Sequence, residues 1–544
     1  MEFDFIVVGG GSAGAVVAAR LSESGRHSVL LLEAGAHDRR LWAQIPIGYA
    51  KLYNDPTHNW MYWSEPEPGL DGRRVYIPRG RILGGSSSIN AMVYSRGQPA
   101  DFDAWAAEGN SGWGWQDVLR TYRKLEGHAL GESEWHGGTG PLAIADTADR
   151  THPLCHNFFQ AAEALGVRMT RDLNGADNEG VAEAVGHYQT TTRNGWRMSA
   201  ARAYLWPAKG RANLAIETGA RARRVLLEEG RAVGVEYRQG GQVKQARARR
   251  EVILAAGSIG SAQLLLLSGI GPADELSAQG IAVHHESALV GRQLQDHSGF
   301  DIYYRSRVPT LNNELATLWG QFRAGLKFAL THKGPLGGSL NHAGGFVRSA
   351  PGRNRANMQL YFCPLAFDKP KHGAVQLVKV EATPIFSLSA SPCRPQSRGW
   401  LKLRSADPEA APAIQLGLLT EEADRQEAIE GFRLMRRLAA APGLAEIIEA
   451  ERKPGPAVES DAEVLAYIRE NAYSIFHPVG TCRMAPDAAS GVVDPRLRVH
   501  GLRSLRVIDA SIFPSVPSGN TNAPAIMVGE RGAELVLEDA ERAA

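Results

Sequence analysis

The sequence predicts an α/β fold joined to an α+β layer. A dinucleotide-binding domain, discontinuous in sequence, carries an inserted domain built on an antiparallel sheet packed with helices. Three observations predict this. The first 33 residues read as strand, glycine turn, helix, strand and acid. An apolar strand ending in glycine and followed by a helix returns at 251–267. Alternating apolar runs occupy 290–470, before a tail that brings back the strand-and-helix character of the start.

In order, Phe5-Ile6-Val7-Val8 is the first strand, followed by Gly9-Gly10-Gly11-Ser12-Ala13-Gly14 and a helix-like stretch from Ala15 to Leu21. Ser28-Val29-Leu30-Leu31-Leu32 is the second strand, ending in Glu33. Glycines at 9, 11 and 14 permit the tight turn, a close backbone approach to a pyrophosphate, and close helix–strand packing. The helix N-terminus supplies free N–H groups for phosphates. Glu33 lies 19 residues beyond Gly14, where a carboxylate accepts hydrogen bonds from a ribose 2′-OH. An ordinary βαβ unit can carry the same glycines; both strands and the acid in register favour the dinucleotide. Residues 37–78 are irregular and rich in Pro, Trp and Tyr, and read either as a lid or binding segment or as a surface loop anchored by buried aromatics.

Leu214–Glu217, Ala222–Leu227 and Ala232–Tyr237 read as short strands, and Glu251–Gly257 as an apolar strand ending in glycine. The helix from Ser258 stops at Ser268-Gly269, with Pro272 barring continuation. Gln359–Phe362 and Trp400–Leu403 alternate as antiparallel strands. Helical periodicity covers Asp424–Ala440 and Asp461–Asn471; Leu505–Asp509 is a strand and Ala523–Glu538 a helix. The nucleotide domain is therefore assigned to 1–150, 195–290 and 470–544, and the inserted domain to 151–194 and 291–469.

The 544 residues suffice for two domains, and a net charge of +2 gives no reason to expect a nucleic-acid partner. Cys155, Cys363, Cys393 and Cys482 are scattered without a C-x-x-C pair, so neither a disulfide scaffold nor a metal site is expected. The chain enters its first strand at once, without a leader pattern, and has no run of 18 apolar residues. A cytoplasmic protein, at most peripherally attached at the inner membrane, is the expectation.

Two further stretches carry chemistry. In Gly80–Asn90, paired glycines and small hydroxyls let a backbone lie flush against a flat or charged ligand, though a tight turn capping a helix would look the same. His477 sits among apolar and small residues, as a catalytic group or as a satisfied core histidine. Asn520 and Asn522 precede the last helix, which Asn522 can cap with Pro524 in the first turn.

Four blocks, in order, resemble the glucose–methanol–choline oxidoreductases, and within them the bacterial alcohol and choline dehydrogenases. They are Gly9-x-Gly11-x-x-Gly14 with Glu33; Gly80-Arg81-x-Leu83-Gly84-Gly85-Ser86-Ser87-x-x-Asn90; Gly257-Ser258 through Ser268-Gly269-Ile270-Gly271; and His477–Met484 through Asp509-Ala510-Ser511 to Asn520-Thr521-Asn522. The resemblance spans essentially the whole chain. It implies a Rossmann-like FAD-binding domain with an inserted substrate domain. Glu33 would hold the adenosine ribose, Gly9–Gly14 (with Ser12 and Ala13) the pyrophosphate, and the backbone around Val225 the adenine side. Gly84, Gly85, Ser86 and Asn90 would lie along the isoalloxazine and ribityl chain, and Asp509, Ala510 and Asn522 at the ribityl and pyrimidine end. Ala34, Arg81, Leu83, Ala91, Met92, Val93, Ala256, Gly257, Asn520 and Ala523 are further cofactor positions. Where some members tether the flavin through a histidine, this chain has Ile89, which implies non-covalent FAD.

The resemblance also pairs His477 with Asn520 at the reacting centre. A neutral imidazole accepts the hydroxyl proton of an alcohol while a carboxamide donates to the same oxygen. The implied reaction is oxidation of a primary alcohol to the aldehyde. Leu294-Gln295-Asp296-His297 is followed by Ser298-Gly299, without the acid expected of choline-specific members, which favours a neutral aliphatic or benzylic alcohol. A quinone or other acceptor is expected for the electrons. An oxygen-using alcohol oxidase, a choline dehydrogenase and a hydroxynitrile-lyase-type enzyme are the alternatives, and an NAD enzyme or a non-enzymatic flavoprotein stand further off. Leu315, Leu318, Trp319, Phe322 and Leu326, with Arg323, Lys327 and Lys333, fit either a surface-lying amphipathic helix touching a membrane or a helix packed on the sheet domain.

Overall fold

The computed structural model describes residues 1–176, 183–366 and 380–542. A seven-stranded sheet runs in the order Leu214–Thr218, Val29–Glu33, Glu2–Val8, Gln242–Leu254, Arg231–Gln239 and Arg221–Glu228, with Leu505–Val507 also paired to Gln242–Leu254. The first four strands are parallel, as are Leu505–Val507 and the end of Gln242–Leu254. The early half of that long strand instead pairs antiparallel with Arg231–Gln239. Val29–Glu33 is buried on both faces, the reason it reads as an unbroken apolar run. The strands expected in this region are present, but the one read as Glu251–Gly257 starts nine residues earlier and spans Gln242–Leu254; the glycine-led helix spans Gly257–Leu267 before turning at Gly269 (φ 71°).

An eight-stranded sheet forms the second layer: Ile448–Lys453, Ser298–Ser306, Ile385–Pro392, Met358–Cys363, Ala343–Val347, Ala184–His187 and Arg168–Met169, with Tyr473–Ser474 pairing onto Ser298–Gly299. Its pairs are antiparallel except Arg168–Met169 with Ala184–His187. Helix Glu422–Ala440 lies on strand Ile385–Pro392 and buries Ala428, Ile429, Phe432 and Met435 at helical spacing. Two expectations change. Trp400–Lys402 alternates as a strand should, but pairs only with Ala413–Gln415 in a separate ribbon. Residues 37–78 fold into short helical turns, Leu41–Gln44, Pro46–Gly48 and Tyr49–Leu52, and a ribbon, Tyr62–Trp63 with Tyr76–Ile77.

The two chain ends are locked together. The last helix spans Asn522–Arg542 and packs on helix Gly14–Leu21 so closely that a Cβ at Gly529 would lie 2.8 Å from the Ala13 carbonyl oxygen. Asn522 is the first residue of that helix rather than its cap; its Oδ1 accepts from Ser12 Oγ at 2.8 Å. About two turns further in, the fully buried Glu530 accepts from Arg20 Nη2 and from Tyr204 OH, both at 2.8 Å. Removing one partner of a buried ion pair strands the other's charge. Glu530→Gln is expected to destabilise the protein by about 3 kcal/mol, read as a lowered unfolding midpoint; an unchanged midpoint would show that the Arg20 pair contributes nothing.

Candidate active site

Two glycine turns from distant parts of the chain meet above the first strand. Gly84 N donates to Gly10 O at 2.7 Å, and a Cβ on Gly85 (φ 54°) would lie 2.7 Å from Gly11 Cα. Gly9 (φ 102°) would drive a Cβ to 2.5 Å from Ala255 O, and Gly14 one to 1.9 Å from Gly9 O. Gly11 differs. A Cβ there would meet nothing closer than Gly85 Cα at 3.9 Å and would project into open space. That space belongs to one cavity running from Glu33 to His477.

Of the expected cofactor positions, Gly9, Gly11, Ser12, Ala13, Glu33, Ala34, Gly85, Ser86, Asn90, Ala91, Met92, Val93, Ala256, Gly257, Asp509, Ala510, Asn520 and Asn522 line this cavity. Gly14, Arg81, Leu83, Gly84, Val225 and Ala523 stand outside its lining. The Val225 amide is already taken by Ser268 Oγ at 2.8 Å, and the wall on that side is made by Ala220, Arg221 and Ala222. Trp60 and Tyr62 join them, with the Arg221 guanidinium 5.0 Å and the Arg81 guanidinium 5.2 Å from the Trp60 ring centre. The aromatic loop 37–78 is thus part of the binding wall. Asp509 accepts from Gly257 N at 2.9 Å and Ser511 N at 2.8 Å, so its carboxylate ties strand end to helix start.

A long cavity with backbone amides and glycines at one end, and a carboxylate beyond them, fits a dinucleotide. Glu33 accepts from Gly35 N at 2.7 Å and Gly10 N at 2.9 Å. Complete burial nevertheless pushes its carboxyl up to about 7, against the pull of those amides and of Arg81.

At the other end, His477 and Asn520 come together: Asn520 Nδ2 lies 3.2 Å from His477 Nε2. The loop holding His477 is fixed by Asp296, whose Oδ1 accepts the His477 amide at 2.8 Å and whose Oδ2 accepts from Ser474 Oγ. Arg79 Nη2 donates to Phe476 O at 2.6 Å, steadying a residue with φ 70°.

Proton positions around His477 follow from which groups can only accept. His297 Nε2 lies 2.8 Å from the Cys393 carbonyl oxygen, so this nitrogen carries the hydrogen. Burial drives His297 down to about 4, so it is neutral and its Nδ1 is an acceptor. His477 Nδ1, 3.0 Å away, must then be the donor. Burial first, then the neighbouring His297 and the Arg79 cation, hold His477 well below the ordinary histidine range, so Nε2 carries no hydrogen and accepts from the Asn520 amino group. From the other side, Tyr188 OH donates to Leu360 O at 2.6 Å and so accepts from Gln359 Nε2 at 3.2 Å. Gln359 Nε2 also donates to Asn520 Oδ1 at 3.2 Å, which turns the Asn520 amino group toward His477. Both ends give one answer. An unprotonated ring nitrogen and an amide donor line the same cavity.

Sequence reasoning found His477 and Asn520 but missed His297, Gln359 and Arg79. The Leu294–His297 segment was noticed only as a landmark for substrate charge. A histidine next to a buried acid was the available signal; Gln359, an unremarkable strand residue, offered none.

The chain matches the GMC oxidoreductase family descriptions over residues 3–299 and 395–529. It is 42% identical over 98% of its length, and 94% of the relative's, to an oxygen-dependent choline dehydrogenase of Vibrio vulnificus. It is 41% identical over 99% of its length, and 97% of the relative's, to an alcohol dehydrogenase [acceptor] of Pseudomonas putida. Among solved structures, pyridoxine 4-oxidase from Mesorbium loti superposes with a TM-score of 0.87 at 31% identity, covering 98% of both chains. A formate oxidase superposes at 0.91 with 27% identity, covering 100% of this chain and 99% of the other.

With ¹⁵N-labelled histidine, His477 is expected to show a protonated Nδ1 and a bare Nε2 at and above about pH 6, and His297→Phe to let the Nε2–H tautomer appear. The same Nδ1–H spectrum in the variant would mean that His297 does not set the tautomer.

Proposed function

This chain belongs to the GMC oxidoreductase family, whose members are FAD-dependent oxidoreductases, and on that premise we propose that it oxidises a neutral primary alcohol to the aldehyde. The observation carrying this reading is the unprotonated His477 Nε2, which lies 3.2 Å from the Asn520 amino group at the end of the cavity and accepts from it until a substrate hydroxyl comes between them. FAD, held non-covalently along the cavity beside Ile89, supplies the hydride acceptor when bound. His477 Nε2 takes the hydroxyl proton, and the developing alkoxide is what loosens the neighbouring C–H bond. Asn520 donates to the same oxygen, orienting the carbon and stabilising charge as it builds. Helix Asn522–Arg542 opens at the cavity wall, its N-terminal dipole favouring negative charge there.

The walls favour an uncharged substrate. The carboxylates among the described lining residues are Glu33, bonded to backbone amides, and Asp509, bonded to Gly257 and Ser511. An acid at position 299 would not fit: a Cβ on Gly299 would lie 2.5 Å from Ile475 Cγ2 and 3.1 Å from the Tyr473 ring. Choline is a second reading, supported by the Tyr49, Tyr53, Tyr361 and Tyr473 rings along the cavity and by the named choline relatives. An anaerobic panel of choline, aliphatic and benzylic alcohols separates the two; choline bleaching the flavin at the lowest concentration would displace the neutral-alcohol reading. Re-oxidation by a quinone analogue faster than by oxygen is expected, because we assign the electrons to a quinone-type acceptor; the Pseudomonas relative is named for an unspecified acceptor. Flavin that stays oxidised with every alcohol would point to a lyase.

His477→Ala is expected to lower kcat for alcohol-dependent flavin reduction by about 10²–10⁴; unimpaired reduction removes His477 from the reaction. Because His477 is held neutral far below its ordinary range, its protonation should cause no loss of activity down to about pH 6.

Glu33 gives a pH-dependent binding test. A carboxyl raised to about 7 keeps a proton the unfolded chain has shed, so this group weakens the fold as pH climbs from about 4.5 toward 7. Ribose hydroxyls donating to Glu33 favour its ionised form. FAD affinity of the apoprotein should therefore rise with pH up to about 7 and flatten above it, measured by flavin fluorescence titration. A pH-independent affinity, or the same slope in Glu33→Gln, would put the ribose elsewhere.

A further inference from the structure

Helix Leu318–Thr331 carries two apolar faces where a packed helix needs one. Ala324 and Phe328 face inward. On the opposite side Leu318 is 85% exposed, Trp319 66%, Phe322 57%, Leu326 48% and Leu330 75%. These are five of the twelve exposed large hydrophobic side chains among the described residues, gathered on one helix while the rest are dispersed, and such gathering marks an interaction surface. Trp319 and Phe322 stack at 5.5 Å between ring centres. Leu315, grouped with them from the sequence, is instead buried in the preceding short helix Leu311–Leu315. The helix packs by one face, as the second of the two sequence readings expects, and leaves the other uncovered.

The charges beside that face choose its partner. Residues 315–333 contain no Asp or Glu, while Arg323 and Lys327 follow Trp319 and Phe322 round the helix and Lys333 lies just beyond its end. Trp, Phe and Leu on one side with cationic side chains at the border is the pattern of a helix lying in the plane of a membrane surface. There the rings enter the headgroup boundary and the cations meet anionic lipid. No helix among the described residues is long and apolar enough to cross a membrane.

We propose that the outer face of helix Leu318–Thr331 docks the enzyme on an anionic lipid surface. The inner side of the same helix leads to the cavity. Ala324 belongs to an apolar cluster with Leu315 and Leu340 that packs against Tyr49, and both Tyr49 and Asn341 line the cavity. Docking thus sets that side of the cavity toward the lipid, where an apolar alcohol or a quinone would be concentrated. The docking surface goes beyond the proposed reaction and stands or falls separately from it.

Flotation of the holoenzyme with vesicles of phosphatidylcholine alone, and of phosphatidylcholine mixed with phosphatidylglycerol, tests this. Binding to the mixed vesicles, weakened by salt, is expected. Trp319→Glu with Phe322→Glu should reduce it at least about tenfold, and Arg323→Glu with Lys327→Glu should abolish the preference for the anionic lipid. Both variants should keep their bound flavin and their activity on a water-soluble alcohol with a soluble acceptor, since neither pair touches the cavity. A holoenzyme that does not float with mixed vesicles, or floats equally with and without Trp319 and Phe322, overturns the proposal. So does a dimer in light scattering that Trp319→Glu dissolves, because the face would then be covered by a second copy of the chain.

Discussion

Two backbone carbonyls, Cys393 O and Leu360 O, decide the chemistry of this site although neither faces it. A carbonyl can only accept, so each imposes a direction on the hydrogen bonds that begin at it. One direction runs through His297 to His477, the other through Tyr188 and Gln359 to Asn520. They meet between His477 Nε2 and Asn520 Nδ2. Every group along the way except the half-buried Asn520 is buried, where an unmet donor or acceptor costs roughly 1–3 kcal/mol. Reversing any one amide or tautomer breaks several bonds at once, so the arrangement has a single low-energy state. The proposed base needs its lone pair in place before a substrate arrives, and the direction set at Cys393 O places it on His477 Nε2.

Burial serves the same end electrostatically. Ionised groups are expensive in a dry interior, so both histidines are held neutral and Asp296 is pushed up to about 6. A neutral His477 is the form able to accept a proton. In the proposed reaction the cost of ionisation is met only when the proton arrives together with an oxygen that Asn520 can hold. The nucleotide end follows a different rule. Its recognition surface is backbone, exposed by removing side chains. Gly9 and Gly14 clear collisions within the fold, while Gly11 alone clears space in the cavity. The three glycines of one motif thus divide between two jobs.

How far the sequence could be read depended on the range of the cause. The βαβ start was legible because strand, turn and helix signals lie within 33 residues, and helix Asp461–Asn471 appears with the bounds its periodicity announced. Local signals misled where pairing is chosen at a distance. Trp400–Lys402 has the alternation of a sheet strand, yet pairs only in a two-stranded ribbon, and Asn522 has the chemistry of a cap but turns to Ser12, across nearly the whole chain. Val225 was named for the adenine wall from resemblance; its amide is occupied by Ser268, three strands' worth of sequence away. His477 and Asn520 became legible only together, through motif order, because nothing local distinguishes a catalytic histidine from a packed one. Gln359 could not be found at all: its part in the site depends on a register, Gln359 opposite Ser391 and Phe346, that exists only once the second sheet has formed.

That dependence links domain assembly to activity. Asn520 comes from the tail that returns to the nucleotide layer, whereas Gln359, Tyr188 and Cys393 come from the inserted layer. The amide facing His477 is therefore oriented across the boundary between layers. His297 stands one residue before strand Ser298–Ser306, whose Gly299 opens the substrate cavity. A small shift of the inserted sheet would leave the dinucleotide cradle whole but turn the Asn520 amide or free the His477 ring. The amide that faces His477 and the ring that fixes its tautomer therefore both depend on how the inserted sheet seats against the nucleotide layer.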